Sequence, residues 1–204
     1  EAHIKAYQTE AMFPITYYKQ ANKGKHFAHN KGIQMAKGDL FLILDSDDIL
    51  PQDSIQLILK KYELIKNNPL IGGAAGRRNY SDGKIVGGGV FDDLISNSLD
   101  IRYVHNVKGD LVEVFRTAIL KAFPFPEIEN EKFCPEALVW NRIAQTYDLL
   151  FFNAGIYTTE YLPDGLTAKI VKIRMESPLA AMIYYDELGK YNIPLHLKLK
   201  ANIN

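Results

Sequence analysis

An α/β fold built on a mixed, partly parallel sheet is predicted from three observations. A wholly apolar run, Leu40 to Leu44 (LFLIL), ends abruptly in Asp45-Ser46-Asp47-Asp48, as a strand covered on both faces does when it delivers polar residues to a sheet edge. Residues 52–66 place Ile55, Ile58, Leu59, Tyr62 and Ile65 at helical spacing after Pro51. The apolar segments alternate in type as strand, helix, strand, helix, strand, the order of a layered α/β domain.

The elements follow in chain order. Phe13 to Lys19 (FPITYYK) is aromatic and β-branched and reads as a strand, with a turn at residues 21–24. Lys25 to Lys37 reads as a helix with Phe27, Ala28, Ile33 and Ala36 near one face, stopped by Gly38-Asp39. The strand at 40–44 and the helix at 52–66 come next, the latter with Asp53 near its start, where negative charge is favourable. Leu70 to Tyr80 is a further strand carrying Arg77-Arg78, and Ser81-Asp82-Gly83-Lys84 turns it back into Ile85-Val86. A strand at Val112 to Phe115, a helix from Glu136 to Thr146 with Leu138, Trp140 and Ile143 inward, and strands at Leu149 to Phe152 and Ile156 to Tyr161 complete the middle. Residues 166–204 are expected to be mostly helical, with lysines outward.

A chain of 204 residues, 47% hydrophobic, supports one core. The expectation is a single domain over 1–204, divided into 1–100, 101–165 and a C-terminal helical segment in 166–204. Lys plus Arg equals Asp plus Glu at 24 each, so no overall field draws the protein to nucleic acid. The single cysteine, Cys134, excludes an internal disulfide framework and reads as a small buried residue. No stretch approaches the roughly 20 apolar residues of a membrane span; a cytoplasmic location is expected, with peripheral attachment at the inner membrane face through the C-terminal lysines.

The acidic turn carries the chemistry. Open α/β sheets bind ligands beyond the carboxyl ends of their strands, and crowded aspartates there repel one another until a hard cation relieves them. Mg²⁺ or Mn²⁺ is held by one or two carboxylates plus phosphate oxygens. Alternation along an extended chain would put Asp45 and Asp47 on one side; the plainer reading is that these residues cap the following helix.

The order of three motifs resembles family 2 glycosyltransferases: Asn22-Lys23-Gly24-Lys25-His26-Phe27-Ala28-His29-Asn30-Lys31-Gly32, then Ala36-Lys37-Gly38-Asp39, then Leu44-Asp45-Ser46-Asp47-Asp48. The resemblance implies a GT-A fold and inverting transfer from a nucleotide-sugar donor, most naturally a UDP-sugar, to a glycan or lipid-linked acceptor in bacterial surface-polysaccharide synthesis. It implies that Asp45 holds the ribose or the metal, that Asp47 ligates the metal with Asp48 as a substitute, and that Lys25 and Asn30 meet the nucleotide or diphosphate at a helix start. His26 and His29 are read as packing residues.

The segment Cys134-Pro135-Glu136 to Arg142 resembles the family's acidic motif of Glu-Asp, an apolar helix and an arginine. Aligning Arg142 places Glu136 at the catalytic base, with Pro135 replacing the usual glutamate; Glu131 is the runner-up. Glu160 to Thr167 is similar to a stretch of surface-polysaccharide enzymes, and Asp110 and Tyr103 are placed near the acceptor. The family opens with a strand, a helix and a second strand ending in Asp-Asp-Gly-Ser, which residues 1–20 do not carry. The expectation is a chain without its first segment, binding donor weakly.

Two other classes compete. A haloacid-dehalogenase-type phosphohydrolase also starts with an apolar strand feeding Asp-x-Asp, with Asp45 as nucleophile and Asp47 as acid. A non-catalytic module keeping the fold is favoured by Pro135-Glu136-Ala137 and the missing opening.

Overall fold

The computed structural model describes residues 2–159 and 169–203. In chain order the elements are α1 (Ala2–Glu10), α2 (Lys25–Met35), β1 (Leu40–Leu42), α3 (Ser54–Glu63), β2 (Ile71–Asn79), β3 (Leu94–Ser96), α4 (Asp100–Tyr103), β4 (Leu111–Arg116), α5 (Thr117–Ala122), α6 (Glu136–Ile143), β5 (Asp148–Thr158), α7 (Ile170–Met175), α8 (Pro178–Lys190) and α9 (Leu195–Ile203). The strands form one mixed sheet in the order β1-β4-β2-β5-β3. β2 and β5 run parallel; the other pairs are antiparallel.

Two cores lie on the two sheet faces, because alternate residues of a strand point to opposite sides. On one face Leu111, Phe115 and Phe151 meet Ile33 of α2, Leu120 of α5 and Leu138 of α6. On the other, Val112, Val114, Leu150 and Phe152 meet Ile58 of α3 and the following Ile65. A third cluster of Leu99, Leu188 and Ile193 packs α4 against α8 and the segment leading to α9. β2 is made of small residues because its neighbours fill the space: a Cβ on Gly76 would lie 2.7 Å from the Ile156 side chain.

Several expectations are corrected. Residues 13–19 form no strand; Phe13, Tyr17 and Tyr18 are exposed, and no described strand pairs with them. β-propensity without a ladder partner does not make a strand. In α2 the buried residues are His26, Asn30 and Ile33, not Phe27 and Ala28. The LFLIL run is only partly buried: Phe41 packs on one core and Leu40 and Leu42 on the other, while Leu44 is exposed. β1 is antiparallel to β4 and sits at the end of the sheet among the described residues. Ile55 and Leu59 of α3 are half exposed. The two strands expected at 149–152 and 156–161 are one, β5, with register shifts against β2; residues 160 and 161 lie outside the described set. The turn at 81–84 is present, with the Tyr80 N–H donating to the Lys84 carbonyl at 2.8 Å. α1, β3, α4 and α5 were not read from the sequence; three of the four are six residues or shorter, too short for periodicity to register.

Candidate active site

The acidic turn is shaped by its neighbours more than by its own sequence. The Asp48 N–H donates to the Asp45 carbonyl at 3.2 Å, closing a turn, so the extended alternation expected of Asp45 and Asp47 does not apply. Ile49 and Thr158 then exchange two backbone bonds of 3.0 and 2.8 Å, which pin the turn to the end of β5. The buried Tyr157 completes the anchorage. Its hydroxyl accepts the Asp45 N–H at 2.9 Å and bonds the Asp48 side chain, and burial pushes its pKa well up. The Arg78 guanidinium lies 4.4 Å from the Tyr157 ring centre and 3.4 Å from the Asp48 carboxylate.

The three aspartates are therefore unlike. Asp48 is shielded, with 6% of its side chain exposed, and belongs to Arg78. Asp45 is held by Lys25, whose Nζ stands 2.8 Å from one carboxylate oxygen and 2.9 Å from the other. Asp47 is exposed on the turn and bonds no other described side chain. Among the described residues, no group of three or more His, Cys, Asp or Glu is arranged to hold a metal ion.

Lys25 also lies 3.0 Å from Glu136, the first residue of α6. Burial disfavours the charged ammonium, but the Glu136 and Asp45 carboxylates outweigh it and raise its pKa. The same lysine thus joins the acidic turn to the candidate base. Both Lys25 and Glu136 line a cleft of about 760 Å³, together with Arg78, Arg102, Asp110, Glu113 and Trp140. Glu113 was missed in the sequence: alternation along β4 places it on the face of Leu111 and Phe115, and burial raises its pKa. Only knowledge of the strand's facing residue at its open end would have marked it.

Other candidates are placed elsewhere. Asn30 is buried and structural: its amide donates to the Phe125 carbonyl and to Glu127, and its oxygen accepts the Phe125 N–H, all at 2.9 Å. Glu131 accepts the Leu179 and Ala180 N–H groups at 2.6 and 2.8 Å and so caps α8 rather than facing a substrate. Arg142 makes a two-pronged pair with Glu187 of α8 at 2.9 and 2.6 Å. Tyr103 packs beside the third core; its neighbour Arg102 is the residue in the cleft, which Asp110 also lines. The buried Cys134 thiol is pushed up to about 12, which makes it inert. His26 and His29 are held neutral by burial, His29 down to about 4. The stretch Glu160 to Thr167 lies outside the described residues.

Comparison with known proteins bears on the class. Residues 1–87 match the model of glycosyl transferase family 2. This segment is similar to family 2 glycosyltransferases. It contains Lys25, Asn30 and the whole acidic turn, which supports the glycosyltransferase reading of that turn over the phosphohydrolase one; Glu136 lies outside it. A Haemophilus influenzae protein described as an uncharacterized glycosyltransferase is 25% identical over 189 residues, spanning 86% of this chain and 72% of its own. The chain also superposes on S. aureus TarS residues 1–349 with a TM-score of 0.57 at 15% identity, over 92% of this chain and 57% of that one. The complex of TarS 1–349 with UDP-GlcNAc gives a TM-score of 0.54 at 14% identity, over 98% and 66%. The fold is thus of the GT-A type. No helix among the described residues is long and apolar enough to cross a membrane.

Proposed function

We propose that the protein transfers a sugar, with inversion, from a nucleotide-diphosphate donor to an acceptor hydroxyl in cell-surface glycan synthesis, with Glu136 as the base. The observation that carries this reading is the convergence of Asp45 and Glu136 on Lys25, at 2.8 and 3.0 Å, beside the cleft. Support for a UDP-sugar comes from the TarS complexes with UDP and with UDP-GlcNAc, which share the fold. In the reaction the acceptor oxygen attacks the anomeric carbon as the bond to the diphosphate breaks. The bonding pair leaves with the nucleoside diphosphate, and the hydroxyl proton passes to the Glu136 carboxylate.

A hard divalent cation, Mg²⁺ or Mn²⁺, fits one position of the turn. Asp47 offers an exposed carboxylate, and a cation of this kind takes its remaining ligands from phosphate and water. Asp48, committed to Arg78, is released from that role. When bound, the cation would neutralise charge on the diphosphate. Asp45 is assigned to the ribose and Lys25 to the diphosphate, while Arg102 and Asp110 face the space left for a glycan or lipid-linked acceptor.

The test is hydrolysis and transfer from a panel of UDP- and GDP-sugars by the full-length protein, with Mn²⁺, Mg²⁺ or EDTA, against Glu136→Gln. Sugar release from one nucleotide series that collapses in the variant supports the reading. No turnover of any donor, or equal turnover by the variant, overturns it and favours a non-catalytic module.

A further inference from the structure

Lys25 is shared by two carboxylates, and one of them is the proposed base. An ammonium 3.0 Å from Glu136 Oε1 occupies an oxygen of the carboxylate that would meet the acceptor hydroxyl. A base held in this way is ready only after the lysine has moved. We propose that Lys25 is a donor-operated latch: it rests on Glu136 in the free protein and exchanges onto the donor diphosphate, so that occupation of the donor site releases the base. This rests on the donor-site reading above and adds a regulatory step to it.

The geometry fits a side-chain exchange on a fixed backbone. Gly24 has φ +103, and a Cβ there would come 2.3 Å from the Lys132 carbonyl oxygen, so the chain is held tightly where α2 begins. Its N–H is bonded by the Asn22 side chain at 3.1 Å. Five residues after Lys25, Asn30 ties α2 to Phe125. The Lys25 backbone is thereby locked, whereas its side chain is 39% exposed on a flexible four-carbon stem. α2 has no side-chain cap on its first N–H groups, so a diphosphate reaching the helix start meets free donors and a favourable dipole as well as the ammonium. A diphosphate carries more negative charge than one carboxylate and therefore competes for the lysine.

Exchange makes Glu136 and the nucleotide competitors for Lys25, which titration calorimetry reads directly. UDP is titrated, with Mn²⁺, into the full-length wild type, Lys25→Met, Glu136→Gln and the double variant, each first shown to melt cooperatively. Should Lys25→Met fail to fold, Lys25→Gln replaces it. Removing the Glu136 charge is expected to tighten UDP binding about two- to fivefold, the scale of a partly exposed ion pair. In the Lys25→Met background the same change is expected to do nothing. Unchanged or weaker binding by Glu136→Gln, beside a wild type that binds, overturns the latch and leaves the donor site standing. Equal tightening with and without Lys25 is plain charge repulsion and also overturns it. A wild type that does not bind UDP or GDP under any cation overturns the donor-site reading itself, and the latch with it.

Discussion

The Tyr157 hydroxyl accepts the Asp45 backbone N–H at 2.9 Å. A residue at the end of β5 thereby sets the shape of a turn that follows β1, two strands that are not neighbours in the sheet. Replacing Tyr157 by Phe leaves the ring over Arg78 but orphans that N–H and removes a partner from Asp48. Denaturant unfolding should show a loss of about 1–3 kcal/mol, and nucleotide affinity should fall along with it. Full stability in Tyr157→Phe would mean that the two backbone bonds between Ile49 and Thr158 suffice to hold the turn.

Glu136→Gln is expected to lower kcat for transfer by about 10²–10⁴, the range for a general base, with the acceptor KM little changed. Glu136→Asp keeps the carboxylate but withdraws it by one methylene, and should fall between the wild type and the amide. Steady-state kinetics with the preferred donor checks the order; an amide variant as fast as wild type assigns the base elsewhere, with Glu113 next in the cleft.

Asn30→Ala separates a structural asparagine from a nucleotide ligand. The variant leaves the Phe125 N–H and C=O without their partner, at a cost of about 1–3 kcal/mol for each orphaned group. Below the melting range its UDP affinity should match wild type within about twofold, since ΔG of binding loses no contact. Weak binding by a fully folded Asn30→Ala protein would return the residue to the donor site.

His29 makes a pH-dependent contribution of known sign. Burial holds its folded pKa down to about 4, against the pull of Glu136 and Asp45, while the unfolded chain titrates near 6.5. Between those values the unfolded state binds the extra proton, so stability is fully present above about pH 6.5 and is lost progressively as pH falls toward 4. His26, lowered in the same direction, adds to the slope. Chemical denaturation from pH 7 to pH 5, where exposed carboxylates stay largely ionised, should give a shallower decline in His29→Gln than in wild type. Parallel declines would show that the imidazole is hydrated in the folded protein.

Periodicity and motif order carried much of this protein. The helices at 54–63 and 136–143 and the strands at 71–79 and 111–116 follow from which residues must leave water; the helix at 25–35 is present but buries a different face from the one its apolar residues suggest. The family-like spacing from Asn22 to Asp48 identified the segment that the glycosyltransferase model matches. Local propensity failed at residues 13–19, where aromatic and β-branched side chains found no strand to pair with, because a ladder needs a partner that composition does not supply.

What the sequence by itself determined is the type of chemistry: several carboxylates, a lysine at a helix start, and a strand that delivers acids to a sheet edge. Only the tertiary structure decided how they are divided. It assigned Asp48 to Arg78, Asn30 to Phe125 and Glu131 to α8, left Asp47 in solvent, brought Glu113 into the cleft, and placed Lys25 between Asp45 and Glu136. The reason is physical: hydrophobic patterning acts along the chain and can be read there, whereas a polar side chain takes whichever partner folding sets within about 3 Å, and that partner is as often a hundred residues away as three.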